Sequence, residues 1–264
     1  MSLENRALLE FCDLSVACGQ ATVLGGVSFS VRPGRVVGLV GESGSGKTTL
    51  LKAAMGMLDD GMRVTGGRVL YDGCDLASMG ACELQALHGP EMAMVFQDSA
   101  ASFCPVRRIG PQVWEAVRAH SRMTRRDCDA LFCETLASLG MDVSERILRA
   151  YPHELSGGMA QRAGIACALM LHPRLLLADE PTSALDAGVQ AQVIDALRCA
   201  HDRLGCAILL VTHNFGLVSA LCDEAVVLHD GRVAEQGAAR DLLERPCDPC
   251  TQALVAAAPR LRRG

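Results

Sequence analysis

The sequence predicts an α/β fold with a mixed sheet core, an antiparallel β subdomain and an inserted helical subdomain. An apolar run closed by glycines leads into a glycine-rich loop, and a helix-forming segment follows that loop. Later in the chain, strands alternate with helical patterns, which implies a largely parallel sheet covered on both faces. Between these regions, residues 98–151 change to a helical character. With 264 residues and 50% apolar content, the chain can bury a sizeable core.

The glycine-rich loop fits the phosphate-binding pattern G-x-x-x-x-G-K-[ST]. Glycines let the backbone turn tightly around an anion, and the following helix presents the positive end of its dipole to it. Lys47 supplies a point charge to the outer phosphates, and the Thr48 hydroxyl supplies a ligand for magnesium. The alternative is a glycine-rich turn with a surface lysine, but a strand before and a helix after are the context that the motif requires. The predicted phosphate-binding residues are Gly41, Glu42, Ser43, Gly44, Ser45, Gly46, Lys47, Thr48 and Thr49.

Turn-forming residues divide the first hundred residues into short elements. Strands are predicted over Leu9–Val16 and Gly26–Val31, and the helix after the phosphate loop over Lys47–Leu58. Asp72-Gly73 is typical of a hairpin turn beside a β-prone run. Met92–Phe96 is a further apolar strand. The first hundred residues therefore combine an antiparallel ribbon with the first strand–helix unit.

The helical region has its own start and stop signals. Thr124 followed by Asp127 resembles a capping box, and Gly140 is a suitable helix stop. Ser156 is a natural N-cap for the apolar helix that follows it, so this helix start is a second possible anion-binding site. We expect about residues 98–162 to form a helical subdomain set into an α/β core.

The α/β pattern resumes with a strand that delivers two carboxylates. The strand Leu175–Ala178 ends in Asp179-Glu180, and the helix Asp186–Leu204 and the strand Ala207–Val211 come next. Ligands bind at the carboxyl edge of such sheets, so both carboxylates are expected there. Asp179 would hold magnesium, and Glu180 would polarise the attacking water.

Charge and hydropathy argue against a nucleic-acid-binding, a membrane-spanning and a secreted protein. A formal net charge of −5 argues against a nucleic-acid binder that relies on bulk positive charge. No apolar run approaches the ~20 residues that span a bilayer, and Met1–Leu9 lacks the apolar stretch of a signal peptide. We therefore expect a cytoplasmic protein. Its thirteen cysteines are expected to be mostly small buried residues, although Cys247-Asp248-Pro249-Cys250 has metal or redox spacing.

The segment Tyr151–Arg162, which reads Y-P-H-E-L-S-G-G-M-A-Q-R, lies about twenty residues before the carboxylate strand. With this segment, the phosphate loop and the carboxylate strand, the chain resembles the ATP-binding subunits of ABC transporters, and the match runs over nearly its whole length. Leu155–Arg162 is similar to the LSGGQ signature, Gly41–Thr48 to Walker A and Leu175–Asp179 to Walker B. The implied fold is the P-loop NTPase fold of ABC ATPases.

The resemblance implies a role for each matching residue. Gln97 matches the Q-loop glutamine, Ser183-Ala184-Leu185-Asp186 the D-loop, and His213 the switch histidine. The implied catalytic residues are Glu180, His213 and Gln97, and the implied magnesium ligands are Thr48, Gln97 and Asp179. Ser156, Gly157 and Gly158 would join the phosphate loop in binding ATP. The expected single domain, 1–264, has its core at about 1–97 and 163–240, its helical subdomain at about 98–162 and its tail at 241–264.

Within the family, the chain looks like the branch that imports peptides or nickel. Arg245-Pro246-Cys247-Asp248-Pro249-Cys250-Thr251 resembles the R-P-x-H-P-Y-T segment of that branch, with Asp248 and Cys250 in place of His and Tyr. Two further departures stand near the nucleotide motifs. Asn214 replaces the usual Asp after the switch histidine, and Ala17-Cys18 stand where an aromatic side chain would stack on adenine.

The resemblance also implies how the chain works and with what. Two ATPase subunits, identical or paralogous, would close head to tail and hold ATP and Mg²⁺ between one phosphate loop and the other signature. The implied partners are integral membrane permease subunits and, indirectly, a soluble substrate-binding protein, but no nucleic acid. The chain would lie peripherally on the cytoplasmic face of the inner membrane. The alternatives are a soluble single-domain ABC-type ATPase in cofactor assembly or another non-transport role, and a small-molecule kinase, which leaves the signature unexplained.

Overall fold

A computed structural model describes residues 6–99, 101–141, 144–183, 185 and 187–257. These residues form two compact units. The first unit contains the described residues of Met1–Gln85 and Ala207–Gly264, and the second unit contains those of Ala86–Cys206.

In chain order, the N-terminal part of the first unit contains β1 (Leu9–Cys18), β2 (Ala21–Val31), β3 (Val36–Gly41), α1 (Lys47–Ala54), β4 (Met62–Tyr71) and β5 (Cys74–Asp75), and α2 (Ala81–Leu87) leads into the second unit. The second unit continues with β6 (Met92–Val95), α3 (Ile109–Arg118), α4 (Arg125–Ser138), α5 (Ser144–Arg149), α6 (Gly157–Leu169), β7 (Leu175–Asp179) and α7 (Ala187–Leu204). The first unit is completed by β8 (Ala207–Val211), α8 (Phe215–Leu221), β9 (Glu224–His229), β10 (Arg232–Ala238), α9 (Ala239–Glu244) and α10 (Pro249–Ala257).

One sheet of the first unit is antiparallel, with the strand order β2-β1-β4-β5. Leu9 and Phe11 are buried two residues apart, and a bulge that contains Asp13 moves the next buried residue to Leu14. The ring centroids of Phe11 and Phe29 lie 4.6 Å apart. The predicted turn between β4 and β5 is confirmed, since Asp72 and Gly73 have φ angles of 46° and 78°. Two successive positive φ angles give the mirror-image turn that suits a hairpin.

The other strands of the first unit form the order β10-β9-β3-β8, in which β3 is parallel to both of its neighbours. All six residues of β3 are buried, as expected for a parallel strand covered on both faces. Asp223 fixes where β3 begins, because its Oδ2 accepts a hydrogen bond from the Val36 amide at 2.9 Å. The antiparallel pair β9–β10 makes this a mixed sheet, as the sequence predicts.

The helix after the phosphate loop is shorter than predicted. It ends at Ala54 rather than Leu58, because the chain turns at Met55 and Gly56 takes a φ of 63°. Glycine is the residue that most readily adopts this left-handed conformation at a helix end.

The second unit packs helices around the parallel pair β6–β7. Helices α3, α4 and α5 contact one another, and α4 also contacts α6. Both helix signals of the sequence are confirmed: Thr124 Oγ1 accepts a hydrogen bond from the Asp127 amide at 3.3 Å, and Gly140 has a φ of 74° after α4. The capped start and the glycine stop therefore set the length of α4.

All thirteen cysteines are free thiols. The expectation of buried cysteines is right for Cys128 and Cys206, but five others are exposed: Cys18, Cys74, Cys82, Cys104 and Cys247. Across the part of the chain that the structure describes, there is no cluster of three or more histidine, cysteine or carboxylate residues that could hold a metal ion. None of the described helices is long and apolar enough to cross a membrane.

Candidate functional site

The phosphate loop follows β3 and requires glycine at two of its positions. A Cβ atom on Gly41 would lie 2.2 Å from the Leu228 carbonyl oxygen, and one on Gly46 would lie 2.5 Å from Leu24 Cδ2. Gly46 is also the N-cap of α1, with a left-handed φ of 99°. Gly44, in contrast, has a φ of 82° and no neighbouring atom within 4 Å of its Cβ position. The first two glycines therefore seat the loop against the sheet, whereas Gly44 leaves its open side clear.

Lys47 lies inside this loop. Its side chain is 6% exposed, and its Nζ donates to the carbonyl oxygens of Gly41 at 3.0 Å and Glu42 at 2.6 Å. A third contact joins Nζ to Ser45 Oγ at 3.4 Å. A buried ammonium group requires such partners, and they hold its charge within the loop. Together with the amides at the start of α1, this charge makes the loop a fit for the phosphates of ATP.

The predicted switch histidine lies at the same sheet edge as the loop. The Thr212 amide donates to the Leu39 carbonyl at 3.2 Å, so the segment after β8 runs beside the end of β3. The His213 side chain is exposed there. Asn214 is the N-cap of α8, and its Oδ1 accepts from the amides of Gly216 at 2.9 Å and Leu217 at 3.3 Å. Asn and Asp are similarly effective N-caps, which explains why Asn can stand at this position.

In the second unit, β6 and β7 bring Gln97 and the two carboxylates to one edge. The strands are parallel with Val95 opposite Ala178, so Gln97 and Asp179 each follow this matched pair closely. Asp179 is buried and Glu180 is half-buried, whereas Gln97 is exposed. This part of the predicted constellation is thus assembled by strand register alone.

Glu180 has an unusual backbone. Its φ is 42°, in the left-handed region that costs roughly 1–2 kcal/mol for a residue with a Cβ. The Glu180 carbonyl is fixed by two hydrogen bonds from Ser183, at 3.0 Å from its amide and 2.9 Å from its hydroxyl. Backbone strain of this kind is concentrated at active sites, where it aims a side chain. The strained backbone therefore favours a functional role for Glu180.

The signature segment forms the start of α6, as predicted. Ser156 caps the helix, with its Oγ 3.4 Å from the Met159 amide, and both Ser156 and Gly157 are exposed. Gly158 is required by packing, since a Cβ there would lie 2.4 Å from Val189 Cγ1. At Gly157 the nearest atom would be Leu185 Cδ2 at 3.8 Å, so packing does not require glycine. An exposed helix start of this kind is open to an anion.

Helix α6 is tied to the segment after β6 by Gln161 of the signature segment, through a contact that the sequence did not predict. Gln161 is 4% exposed, and its Nε2 lies 3.4 Å from the Phe96 carbonyl while its Oε1 lies 3.4 Å from the Ser99 amide. Gly164 allows the close approach, because a Cβ there would lie 2.6 Å from Ser99 Oγ. Gln161 lies within the signature segment Leu155–Arg162, but that motif does not indicate a contact with the segment after β6.

A second missed residue supports the segment after Glu180. Gln190 Nε2 donates to the carbonyls of Thr182 at 3.3 Å and Leu185 at 3.0 Å. Two residues of the predicted D-loop, Ala184 and Asp186, lie outside the described residues. No signal in the sequence indicated these hydrogen bonds of Gln190 to the loop.

Aromatic side chains are absent from the surface of the first unit. All nine aromatic residues of the chain fall within the described residues, and four of them belong to this unit. Their exposures are 1% for Phe11, 7% for Phe29, 3% for Tyr71 and 8% for Phe215. Cys18 is exposed at the end of β1, where the sequence predicted that a stacking ring is missing. Phe11 cannot replace that ring without leaving the core.

Residues 24–183, more than half of the chain, match the family described as ABC transporter. The chain belongs to the ABC transporter family. It is 40% identical over 242 residues to a probable peptide ABC transporter ATP-binding protein of Sinorhizobium fredii, which covers 91% of this chain and 72% of that protein. An oligopeptide transport ATP-binding protein of Salmonella typhimurium is 38% identical over 258 residues, or 96% of this chain and 77% of that protein.

The fold of this ABC ATPase is also similar to that of a solved structure. A dimeric ATP-binding cassette in a post-hydrolysis state, bound to ADP and Pi, matches with a TM-score of 0.77 and 25% identity, covering 88% of this chain and 99% of the other. The P-loop ABC ATPase fold and the ATPase activity predicted from the motifs are thereby confirmed.

Proposed function

We propose that this ABC ATPase powers an importer of peptides or nickel at the cytoplasmic face of the inner membrane. The phosphate loop, in which glycines required by packing surround a buried Lys47, carries the ATPase part of this proposal. The named relatives in Sinorhizobium fredii and Salmonella typhimurium support peptides as the solute class. Specificity for one solute would reside in the membrane subunits and a soluble binding protein.

ATP binds first to the phosphate loop of one subunit. Lys47 and the amides at the start of α1 neutralise the outer phosphates, so affinity rests mainly on the triphosphate. We assign Thr48, Asp179 and Gln97 as the residues that would hold Mg²⁺, and their oxygen atoms are the ligands that this hard cation prefers. Bound magnesium supplies charge neutralisation during phosphoryl transfer.

The signature of a second subunit then completes the site. Ser156 and Gly157 are exposed at the start of α6, so a nucleotide held by another chain can reach them. Glu180 orients and deprotonates the attacking water, and His213 stabilises the transferred phosphate. Hydrolysis removes the bridge between the two subunits, and the pair reopens.

A groove on the second unit is suited to a membrane subunit. It has a volume of about 350 Å³, and its lining includes Phe96, Phe103, Ala116 and Ala168. Arg107 and Glu115 also line the groove and form a bidentate ion pair, with Arg107 Nη1 and Nη2 at 2.8 Å and 2.6 Å from the Glu115 carboxylate oxygens. Phe96 immediately precedes Gln97, so a helix of the permease docked there would sense movement of the glutamine.

The decisive experiment compares the two carboxylates in the assembled transporter. Because a general base contributes about 10²–10⁴-fold, Glu180→Gln should reduce ATP turnover at least about 100-fold while ATP affinity is retained. Asp179→Asn should weaken magnesium-dependent ATP binding as well, because it removes a charged ligand. Glu145→Gln is the matched control, since that carboxylate belongs to the same unit and its side chain is 84% exposed. Near-normal turnover of the Glu180→Gln complex would remove Glu180 from this role.

A further inference from the structure

The segment that follows α9 is held by one carboxylate of β10. Glu235 Oε1 accepts a hydrogen bond from the Cys247 amide at 2.9 Å, and its Oε2 accepts one from the Asp248 amide at 3.0 Å. Both oxygens thus bind successive backbone amides of the same turn. Charge-assisted hydrogen bonds of this kind are stronger than neutral ones.

Glu235 is ionised in this arrangement. Burial by itself would raise the pKa of Glu235, but the amides of Cys247 and Asp248 donate to the carboxylate and hold its pKa below the ordinary value. The turn is reinforced by Asp248, whose Oδ1 accepts from the Cys250 amide at 2.8 Å and thereby caps α10. The start of α10 is therefore fixed to β10 on one side and to its own cap on the other.

Helix α10 packs against the core next to the nucleotide motifs. Leu254 and Val255 contact a cluster of buried residues that contains Val40 and Phe215. Val40 immediately precedes Gly41 of the phosphate loop, and Phe215 follows His213 by two residues. The same apolar cluster therefore contacts α10, the end of β3 and the start of α8.

Cys250 lies in the first turn of α10 and is half-buried there. Burial raises the pKa of the Cys250 thiol, and the charges of Asp248, Glu42 and Asp230 raise it further.

We propose that Glu235 is a positioning residue for ATP hydrolysis, which seats α10 against the cluster that supports the phosphate loop and the switch segment. The proposal rests on the nucleotide site described above. Glu235 does not contact the nucleotide, and it acts through Val40 and Phe215. When Glu235 is removed, α10 packs less firmly on this cluster. The phosphate loop and the segment that carries His213 then lose the apolar surface that holds them in position.

The test is ATP hydrolysis by the complete transporter carrying Glu235→Ala or Glu235→Gln, assayed well below the unfolding temperature of each variant. Glu235→Gln keeps one acceptor oxygen and should give an intermediate effect. Couplings between sites are typically fivefold or more, so Glu235→Ala should reduce kcat/KM at least about fivefold. Glu244→Gln is the matched control, because this exposed carboxylate of α9 pairs with Arg240 Nε at 2.9 Å and should leave kcat/KM unchanged.

A second measurement separates positioning from general destabilisation. The rate at which iodoacetamide alkylates Cys250, followed by peptide mass spectrometry, should fall when ATP binds, because the loop and α10 are coupled. This ATP-dependent protection should be weakened in Glu235→Gln and lost in Glu235→Ala, while the exposed Cys74, which lies outside this turn, reacts as before. If Glu235→Ala does not fold, Glu235→Gln alone decides. Unchanged kcat/KM and unchanged protection of Cys250 in Glu235→Gln would overturn the proposal, whereas an unmodified protein that does not bind ATP would overturn the proposed function instead.

Discussion

The phosphate loop and the signature segment both present a helix start to an anion, but they differ in completeness. In the phosphate loop, Lys47 is 6% exposed, and its Nζ contacts Gly41, Glu42 and Ser45. In the signature segment, Ser156 and Gly157 are exposed, and the helix start has one side-chain cap at 3.4 Å. The first site can bind a triphosphate within a single chain. The second has the amides and the cap, but its cation, Arg162, donates from Nε to the Gly158 carbonyl at 3.3 Å, so the segment contributes once another chain presents a nucleotide.

The largest expected effect comes from a substitution in the signature segment. Ser156→Arg should leave ATP binding by the isolated subunit unchanged, because that binding belongs to the phosphate loop. Hydrolysis by the complex should fall about 100-fold, the loss typical when one preorganised donor is removed from a reacting centre. Titration of ATP and steady-state turnover measure the two effects.

The control for Ser156→Arg is a variant that loses a helix cap elsewhere. Thr124→Arg removes the N-cap of α4, which has a comparable 3.3 Å contact, so both variants lose similar helix stability. Thr124→Arg should retain turnover. Full-rate hydrolysis by a strictly monomeric Ser156→Arg subunit would contradict the shared site.

The phosphate loop should show the opposite behaviour. A hydrogen bond to a charged group contributes about 1.5–3 kcal/mol, so Lys47→Ala should weaken ATP binding by the isolated subunit roughly 10- to 150-fold. Lys52→Ala is the matched control on the same helix, because Lys52 Nζ pairs with Asp59 at 2.6 Å on the outside. Calorimetric titration of both variants gives the answer, and equal affinities would show that Lys47 does not bind phosphate.

The smallest effect concerns the base. Stacking on an aromatic ring contributes about 1–3 kcal/mol in nucleic-acid sites, and none of the first unit's described aromatic rings is exposed. The unmodified subunit should therefore bind ATP and GTP with similar affinity. Cys18→Tyr should tighten ATP binding by up to about tenfold, equivalent to ~1.4 kcal/mol.

Cys74→Tyr is the control for this change, since Cys74 is also exposed in the first unit. A strong preference for ATP over GTP in the unmodified chain would show that the base is recognised by other means. Phe11→Ala is unsuitable for that question, because removing a fully buried Phe costs about 3–5 kcal/mol of stability.

The sequence predicted the elements whose signals are local. The caps at Thr124 and Ser156, the turn at Asp72-Gly73 and the strand Ala207–Val211 are all confirmed. The caps and the turn depend on residues within a few positions of one another, because a cap or a turn closes its hydrogen bonds locally. The strand was indicated by its continuous apolar run, although its hydrogen bonds go to the distant β3. The helix after the phosphate loop was predicted too long because Gly56 was not recognised as its stop.

Contacts between distant segments were decided by the tertiary structure. Gln161 and Ser99 are 62 residues apart, and Asp223 lies 187 residues after the Val36 amide that it accepts from. The polar atoms of such residues find partners only after the elements have packed. Sequence periodicity therefore does not predict these hydrogen bonds. The same holds for Glu235, which reads as an ordinary strand carboxylate until the turn at Cys247 is placed beside it.

By itself, the sequence determined the fold class and the chemistry, because the glycines, lysine and carboxylates of a nucleotide site occur at fixed spacings around strands and helix starts. Only the tertiary structure decided which glycines are required by packing, which residue strains its backbone at the end of β7, and which side chains support the site from behind. Those features depend on atoms brought together from remote parts of the chain, and close packing in three dimensions fixes them.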